Sequence, residues 1–220
     1  FNTDGSSAMN EDRELNRGIR YTKGYEYLSE KYHLHTFELF ESWVKTSLAI
    51  YAQTEGAVEK PHVAIVDFME SATNNEFEIF ADCYRKHGIE CEICEIRDLT
   101  FKDGRLYGKE EKPIDLIYRR AVTSDIMAHY EEVSDFIAAV KAEAVCLIGD
   151  FTTQIVHNKV LYHILHHPKT KAFLTESEND YVEAHVPYTA LMDAEYLPYE
   201  KIITQKDNWI LKPLDSYGSK

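Results

Sequence analysis

The chain has 220 residues, of which 44% are hydrophobic and 12% aromatic, so it can bury a substantial core. Its net charge of −14 disfavours nucleic acid as a partner, because phosphate contacts need clustered Lys and Arg. The sequence shows no apolar run of membrane-spanning length and no signal peptide, so we expect no membrane partner and a reduced, cytoplasmic setting.

The segment from Phe1 to Asn16 is polar and rich in small side chains, which predicts a loop. Groups that bind metals or substrates are dense around a turn glycine in this segment, at Asn2, Thr3, Asp4, Gly5, Ser6 and Ser7. The alternative interpretation is a disordered terminus.

The next part of the chain alternates helical and strand patterns. Helical spacing of apolar residues predicts core-facing helices over about Tyr32–Gln53, with Phe37 in its stripe, and over Asn74–His87, Glu131–Ala142 and Asp150–His167. Short apolar runs predict buried strands at His62–Phe68, Ile89–Ile96, Ile114–Arg119 and Val145–Ile148. This alternation predicts an α/β fold, with a mostly parallel, Rossmann-like sheet covered by flanking helices on both faces. The chain has no GxGxxG, so we expect no dinucleotide site.

Shorter signals refine this outline. The Asp103–Gly104 pair predicts a hairpin turn. Cys91 and Cys94 form a CxxC, but residues three apart in a strand point to opposite faces, so ordinary strand thiols are favoured over a redox or metal protein. Three histidines near the end of the helix predicted at Asp150–His167 are interpreted as exposed residues rather than metal ligands: His163, His166 and His167.

The last twelve residues, WILKPLDSYGSK, combine a strand-like run at Trp209–Leu211, the lysine Lys212 and a loop of small residues. An ammonium group suits phosphate oxygens, and such a loop offers unobstructed backbone N–H groups, which together predict a phosphate site. A second lysine, Lys159, follows Asn158 on a predicted helix with an apolar backing. The chain starts at Phe1 and stops inside the loop, so we expect a piece of a larger enzyme that is inactive alone.

Three segments, FNTDGSS, IVHNKVLYHIL and ILKPLDSYGSK, resemble in this order the glutathione synthetase and glutathionylspermidine synthase group of ATP-grasp ligases, including its circularly permuted members. The resemblance implies ATP and Mg²⁺ as cofactors. It implies that the nucleotide is bound by Lys159, Lys212, Ser216, Gly218 and Ser219, the metal by Asn2, and the substrate by Ser6, Ser7 and Arg119. For Arg119, an ion pair with one of the many acidic residues is the alternative.

The implied reaction is ATP-dependent carbon–nitrogen ligation, in which a small-molecule acid forms an acyl phosphate and an amine then displaces phosphate. The implied domains are an N-terminal loop and helix at 1–57, a Rossmann-like substrate (pre-ATP-grasp) domain at 58–150, and the start of the ATP-grasp region at 151–220. The alternative is a non-catalytic ligand-binding α/β domain, in which Lys212 ends a core strand and the N-terminal loop is disordered.

Overall fold

The computed structural model describes residues 3–5, 8–70, 72–193 and 196–214. Two compact units divide this part of the chain: Asp4–Phe151 forms the first, and the second contains Thr3 and the described residues from Thr152 onwards. The three-part division expected from the sequence stays a prediction. No helix within the described ranges has the length and apolarity needed to cross a membrane.

Two sheets occupy the first unit. The strands among its described residues are β1 (Val63–Asp67), β2 (Cys91–Glu95), β3 (Thr100–Lys102), β4 (Arg105–Tyr107), β5 (Pro113–Ile114), β6 (Leu116–Arg119) and β7 (Cys146–Ile148). The main sheet has the order β2–β1–β6–β7, and all its strand pairs are parallel. Strands β3, β4 and β5 form a small antiparallel sheet, with Asp103 and Gly104 at positive φ in the predicted hairpin turn. The predicted α/β class and parallel sheet are therefore confirmed.

Six α-helices are described in this unit. They are α1 (Met9–Ile19), α2 (Lys23–Lys31), α3 (Leu39–Tyr51), α4 (Asn74–Lys86), α5 (Thr123–Ala128) and α6 (Ser134–Lys141). Among them, α3, α4 and α6 pack on the main sheet. Strand alternation divides the core in two, because neighbouring residues such as Ile65 and Val66 point to opposite faces. One face packs on α3 and α4 through Phe40 and Phe80, and the other packs on α6 through Phe136.

The N-terminal prediction of a loop over the first sixteen residues was wrong beyond Ala8, where α1 begins. The backbone N–H of Asn10 lies in the first turn of this helix, where it has no acceptor within the helix, and it donates to Glu76 Oε2 at 3.0 Å. A carboxylate on α4 therefore satisfies a backbone donor that a local side chain would otherwise cap. Residues 10 and 76 are too far apart in the chain for a local sequence pattern to reveal this contact.

The helix predicted from about Tyr32 begins seven residues later, at Leu39. The side chain of Glu38 accepts a hydrogen bond from the N–H of Phe40 and so marks the helix start. Phe37, expected in the buried stripe, precedes this start and is 73% exposed. Phe40 and Val44 are fully buried, so the stripe is confirmed from Phe40 onwards.

The CxxC pair behaves as predicted. Cys91 packs in the core on one face of the sheet and Cys94 in the core on the other face. Both are free thiols, and burial raises the pKa of each to about 12. Because both thiols stay protonated near neutral pH and point apart, the pair is unsuited to redox chemistry.

The second unit is described as short helices. They are α7 (Thr153–His157), α8 (Val160–His166), α9 (Pro168–Lys171), α10 (Glu176–His185) and α11 (Tyr199–Thr204). The single helix predicted over Asp150–His167 is wrong, because Asn158 is extended and its side chain accepts from the N–H of Val160 at 2.9 Å. Asn side chains compete in this way with the helical backbone. Lys159 consequently lies at the junction of two helices.

Two further predictions in this unit were wrong. Trp209–Leu211 is not a strand: the backbone is extended at Trp209, but no sheet partner is paired with it among the described residues, and Ile210 is 82% exposed. The histidines of α8 are half-buried rather than exposed, since His163 packs on the Tyr196 ring at 4.6 Å and His166 Nε2 lies 3.1 Å from the Val186 carbonyl oxygen.

Candidate functional site at the carboxyl edge of the sheet

The main sheet of the first unit has a topological switch point between β1 and β6. The chain passes from β1 to β2 on one side, whereas β6 and β7 lie on the other side. In open parallel sheets, ligands bind outside the carboxyl ends of the strands at such a point. Strand β1 ends here at Asp67 and β6 ends at Arg119, with Arg120 directly after it.

Arg119 is completely buried and engaged within its own unit. Its Nη1 donates to Asp4 Oδ1 at 2.7 Å and to the Ala121 carbonyl at 2.6 Å, and its Nε donates to the Gly149 carbonyl at 2.5 Å. The guanidinium also lies over the Phe151 ring at 5.0 Å. Only Nη2 has no acceptor among the residues that the structure describes.

Asp4 is the acid that completes this arrangement, and it is only 2% exposed. Besides Arg119, it accepts from the backbone N–H of Thr123 at 2.9 Å and from the Thr123 hydroxyl at 2.9 Å. These contacts place a carboxylate at the N-terminus of α5, where the helix dipole favours negative charge. Gly5 follows with φ of +58°, and a Cβ there would lie 2.6 Å from the Arg120 carbonyl oxygen. Asp4 and Gly5 therefore dock the N-terminal segment closely on the carboxyl edge of the sheet.

A second buried ion pair lies beside the first. Arg120 Nη1 donates to Glu76 Oε1 at 2.8 Å, and the side chains are 3% and 5% exposed. The guanidinium lies over the Phe77 ring at 4.8 Å, while its Nε has no acceptor within the described ranges. Each buried arginine at this edge is thus balanced by one buried carboxylate, which offsets the large desolvation cost of the charges.

Asp67 is the remaining ionisable group at the end of β1. Burial raises the pKa of Asp67 to about 6, although the N–H of Phe68 and the charge of Arg120 act in the opposite direction. Its Oδ1 accepts from Phe68 N at 2.9 Å. A carboxyl group whose pKa is raised to about 6 at the carboxyl end of a parallel strand is suited to proton transfer or ligand binding.

The second unit brings the two predicted phosphate lysines into neighbouring segments. The backbone N–H of Lys159 donates to the carbonyl of Leu214 at 2.9 Å, although the residues are 55 positions apart (214 − 159). Lys159 is half-buried and Lys212 is exposed. Trp209, three positions before Lys212 in the chain, has a buried indole N–H with no acceptor in the described part of the chain.

Six predicted site residues fall outside the described residues: Asn2, Ser6, Ser7, Ser216, Gly218 and Ser219. Of the described ones, Arg119 lies at the carboxyl edge of the sheet in the first unit, whereas Lys159 and Lys212 belong to the second. The geometry around Arg119 matches the ion-pair alternative, because Asp4 occupies the guanidinium.

Sequence reasoning missed Asp67 and did not assign Asp4 as the partner of Arg119. The first had a usable signal, since the apolar run HVAIV is followed directly by Asp67, at the end of a buried strand, where parallel sheets bind ligands. The second had none, because Asp4 and Arg119 are 115 positions apart in the chain. Comparison with models of known protein families and with curated proteins found no match for this chain.

Proposed function

We propose that this chain belongs to an ATP-dependent carboxylate–amine ligase similar to the glutathionylspermidine synthase group. The first unit serves as a Rossmann-like substrate domain, and the second as the start of the ATP-grasp region. A small-molecule acid is phosphorylated by ATP, and an amine displaces phosphate from the acyl phosphate. The protein must chiefly position phosphates and neutralise their charge, which requires cations rather than a nucleophilic side chain.

The observation that carries the proposal is the hydrogen bond from Lys159 N to Leu214 O at 2.9 Å. It joins the segments of Lys159 and Lys212, the two lysines that the resemblance assigns to the phosphates. The side chain of each lysine would hold phosphate oxygens as a compact positive charge. The unpaired indole N–H of Trp209 is a further donor in the segment before Lys212, and so the residues present fit an anionic group.

The proposed magnesium ion depends on Asn2, which lies outside the described residues. Its near neighbour Asp4 is fixed by Arg119 and Thr123. We therefore assign Arg119 as a positioning residue that holds Asp4, which comes shortly before the predicted substrate contacts Ser6 and Ser7 in the chain. Arg119→Ala is then expected to raise KM for the acidic substrate much more than KM for ATP.

Calorimetric titration of the full-length protein with MgATP tests the assignment of the lysines. Lys159→Ala and Lys212→Ala should each lower MgATP affinity or ligase turnover by on the order of 10²-fold, the scale for losing one charge contact in a preorganised site. Lys201→Ala is the matched control, because Lys201 is an exposed lysine on α11 of the same unit. It should leave both quantities unchanged.

Equal MgATP affinity and equal turnover in all four proteins would contradict the ligase proposal. That result would favour the alternative of a ligand-binding α/β domain without catalysis. The acid and amine are identified by assaying ATP hydrolysis with pairs of peptides or amino acids and amines, including polyamines.

A further inference from the structure

A thiol, an imidazole and a carboxylate meet on the outer side of the helical layer formed by α3 and α4. Cys83 lies in the last turns of α4 and His87 follows four residues later, so both project from the same side of that helix. Glu41 comes from the first turn of α3, which packs against α4. The group belongs to the first unit, and none of the three residues has a role in the carboxyl-edge site.

The ligand atoms of these residues already lie close together. His87 Nε2 is 2.9 Å from Glu41 Oε1, Cys83 Sγ is 3.4 Å from Glu41 Oε2, and one ligand atom of each residue lies within 4.8 Å of the others. Metal–ligand bonds of about 2.0–2.3 Å around a tetrahedral zinc ion separate its ligand atoms by about 3.3–3.8 Å. Small side-chain rotations would bring the three atoms to these separations.

The surroundings of the three residues also suit an ion. Cys83 is buried at 7% exposure, whereas the side chains of His87 and Glu41 are 30% and 39% exposed. The sulfur thus faces the protein, and the other two ligands leave a path for an ion to enter from solvent. Glu41 Oε1 also contacts Lys45 Nζ at 3.2 Å, and a bound cation would displace this exposed ammonium group.

We propose that Glu41, Cys83 and His87 form a binding site for a divalent transition-metal cation of the zinc class, with a fourth position left to water. A thiolate and an imidazole favour Zn²⁺ or Co²⁺ over Mg²⁺ or Ca²⁺, which prefer oxygen ligands. Three protein ligands and one open position is the composition of many zinc centres that bind a further ligand. The bound ion cross-links α3 to the end of α4 and so stabilises this helical layer.

Titration of the reduced chain with Co²⁺ tests the site, because a cobalt–thiolate bond produces a charge-transfer absorption band. The wild type should show this band at one equivalent of Co²⁺, and Zn²⁺ should abolish it by competition. Cys83→Ser should abolish the band. His87→Gln and Glu41→Gln should weaken Co²⁺ binding by at least about 10-fold, the smallest loss typical even for residues that only support metal ligands.

Two variants are matched controls. Cys146→Ser removes a half-buried thiol outside the cluster, and His129→Gln removes a histidine that contacts a carboxylate, Glu132, at 2.8 Å without a cysteine in that contact. Both should keep the band and the affinity of the wild type. Because Cys83 is buried, the folding of Cys83→Ser is checked by circular dichroism. If this variant does not fold, the test rests on His87→Gln and Glu41→Gln, which change partly exposed side chains.

Zn²⁺ should also raise the unfolding temperature of the wild type but not that of His87→Gln, because only a ligand that binds the folded state stabilises it. The proposal is overturned if the wild type gives no band, or if Co²⁺ affinity is unchanged in both His87→Gln and Glu41→Gln. A band that survives Cys83→Ser and disappears in Cys146→Ser would place the metal elsewhere and would equally overturn it.

Discussion

Replacing Asp4 with Ala should strongly destabilise the first unit, because Asp4 neutralises a guanidinium that has no exposure to solvent. The side chain of Arg119 is 0% exposed and that of Asp4 is 2% exposed, with 2.7 Å between Nη1 and Oδ1. The substitution leaves the positive charge buried without its counterion. It also removes the acceptor of two hydrogen bonds from Thr123.

The expected loss follows from these contacts. Breaking a buried ion pair by removing one partner costs about 3–5 kcal/mol. Each buried donor left without an acceptor adds about 1–3 kcal/mol, although relaxation makes such costs less than additive. We therefore expect Asp4→Ala to lower the free energy of unfolding by about 4 kcal/mol, a large part of the roughly 5–15 kcal/mol that stabilises an ordinary domain.

Urea unfolding followed by circular dichroism measures this loss. A double-mutant cycle with Arg119→Met separates the pair from the rest, because removing both charges should cost much less than removing Asp4 alone. Glu14→Ala is the surface control: Glu14 pairs with Arg17 at 2.6 Å, but the side chains are 55% and 64% exposed. An exposed pair contributes at most about 1 kcal/mol.

A loss below about 1 kcal/mol for Asp4→Ala, similar to that of Glu14→Ala, would refute the reasoning. So would strictly additive effects of Asp4→Ala and Arg119→Met, since the interaction between the two side chains would then be negligible.

Three other substitutions are expected to change stability measurably. The raised pKa of Asp67, about 6, means that the unfolded chain loses this proton first, so the contribution of Asp67 to stability falls by at most about 3 kcal/mol between about pH 4 and pH 6. In urea unfolding, the stability of Asp67→Asn relative to the wild type should therefore rise across this range by up to about 3 kcal/mol. Gly5→Ala should cost about 1–3 kcal/mol in the same assay, because of its positive φ and the 2.6 Å approach of a Cβ to the Arg120 carbonyl oxygen. Gly18→Ala should instead raise the free energy of unfolding by about 0.5–1 kcal/mol, because Gly18 is helical and a Cβ there meets nothing within 4 Å. A constant Asp67 difference across the pH range, a neutral Gly5→Ala or a destabilising Gly18→Ala would each contradict the corresponding argument.

The central sheet was predictable because buried parallel strands are continuous apolar runs, such as HVAIVDF, and helices between them carry a distinct periodicity. The start of α1 was not predictable in this way, because a side chain of α4, Glu76, binds the N–H of Asn10. The break at Asn158 was missed because the apolar pattern continues through it, although Asn itself is a sequence signal for a break, since its side chain competes with the helical backbone.

The candidate site was predictable only in part. Arg119 lies at the end of β6, where the strand predicted over Ile114–Arg119 already placed it. Its pairing with Asp4 was not predictable, because any of many acidic residues satisfies a guanidinium and only the folded chain selects one. The approach of Lys159 to Leu214 depends likewise on the chain reversing between α8 and the C-terminal segment, which no local pattern specifies.

The long separation between Asp4 and Arg119 also has a consequence during biosynthesis. Asp4 leaves the ribosome 115 residues before its partner, and translation proceeds at about 5–20 residues per second. The carboxylate therefore stays hydrated, and its segment undocked, for about 6–23 seconds while β1 and β2 are being completed. Docking of Asp4 and Gly5 therefore follows the synthesis of β6, and limited proteolysis of nascent chains of increasing length would detect it as protection that begins only once β6 has emerged from the ribosome.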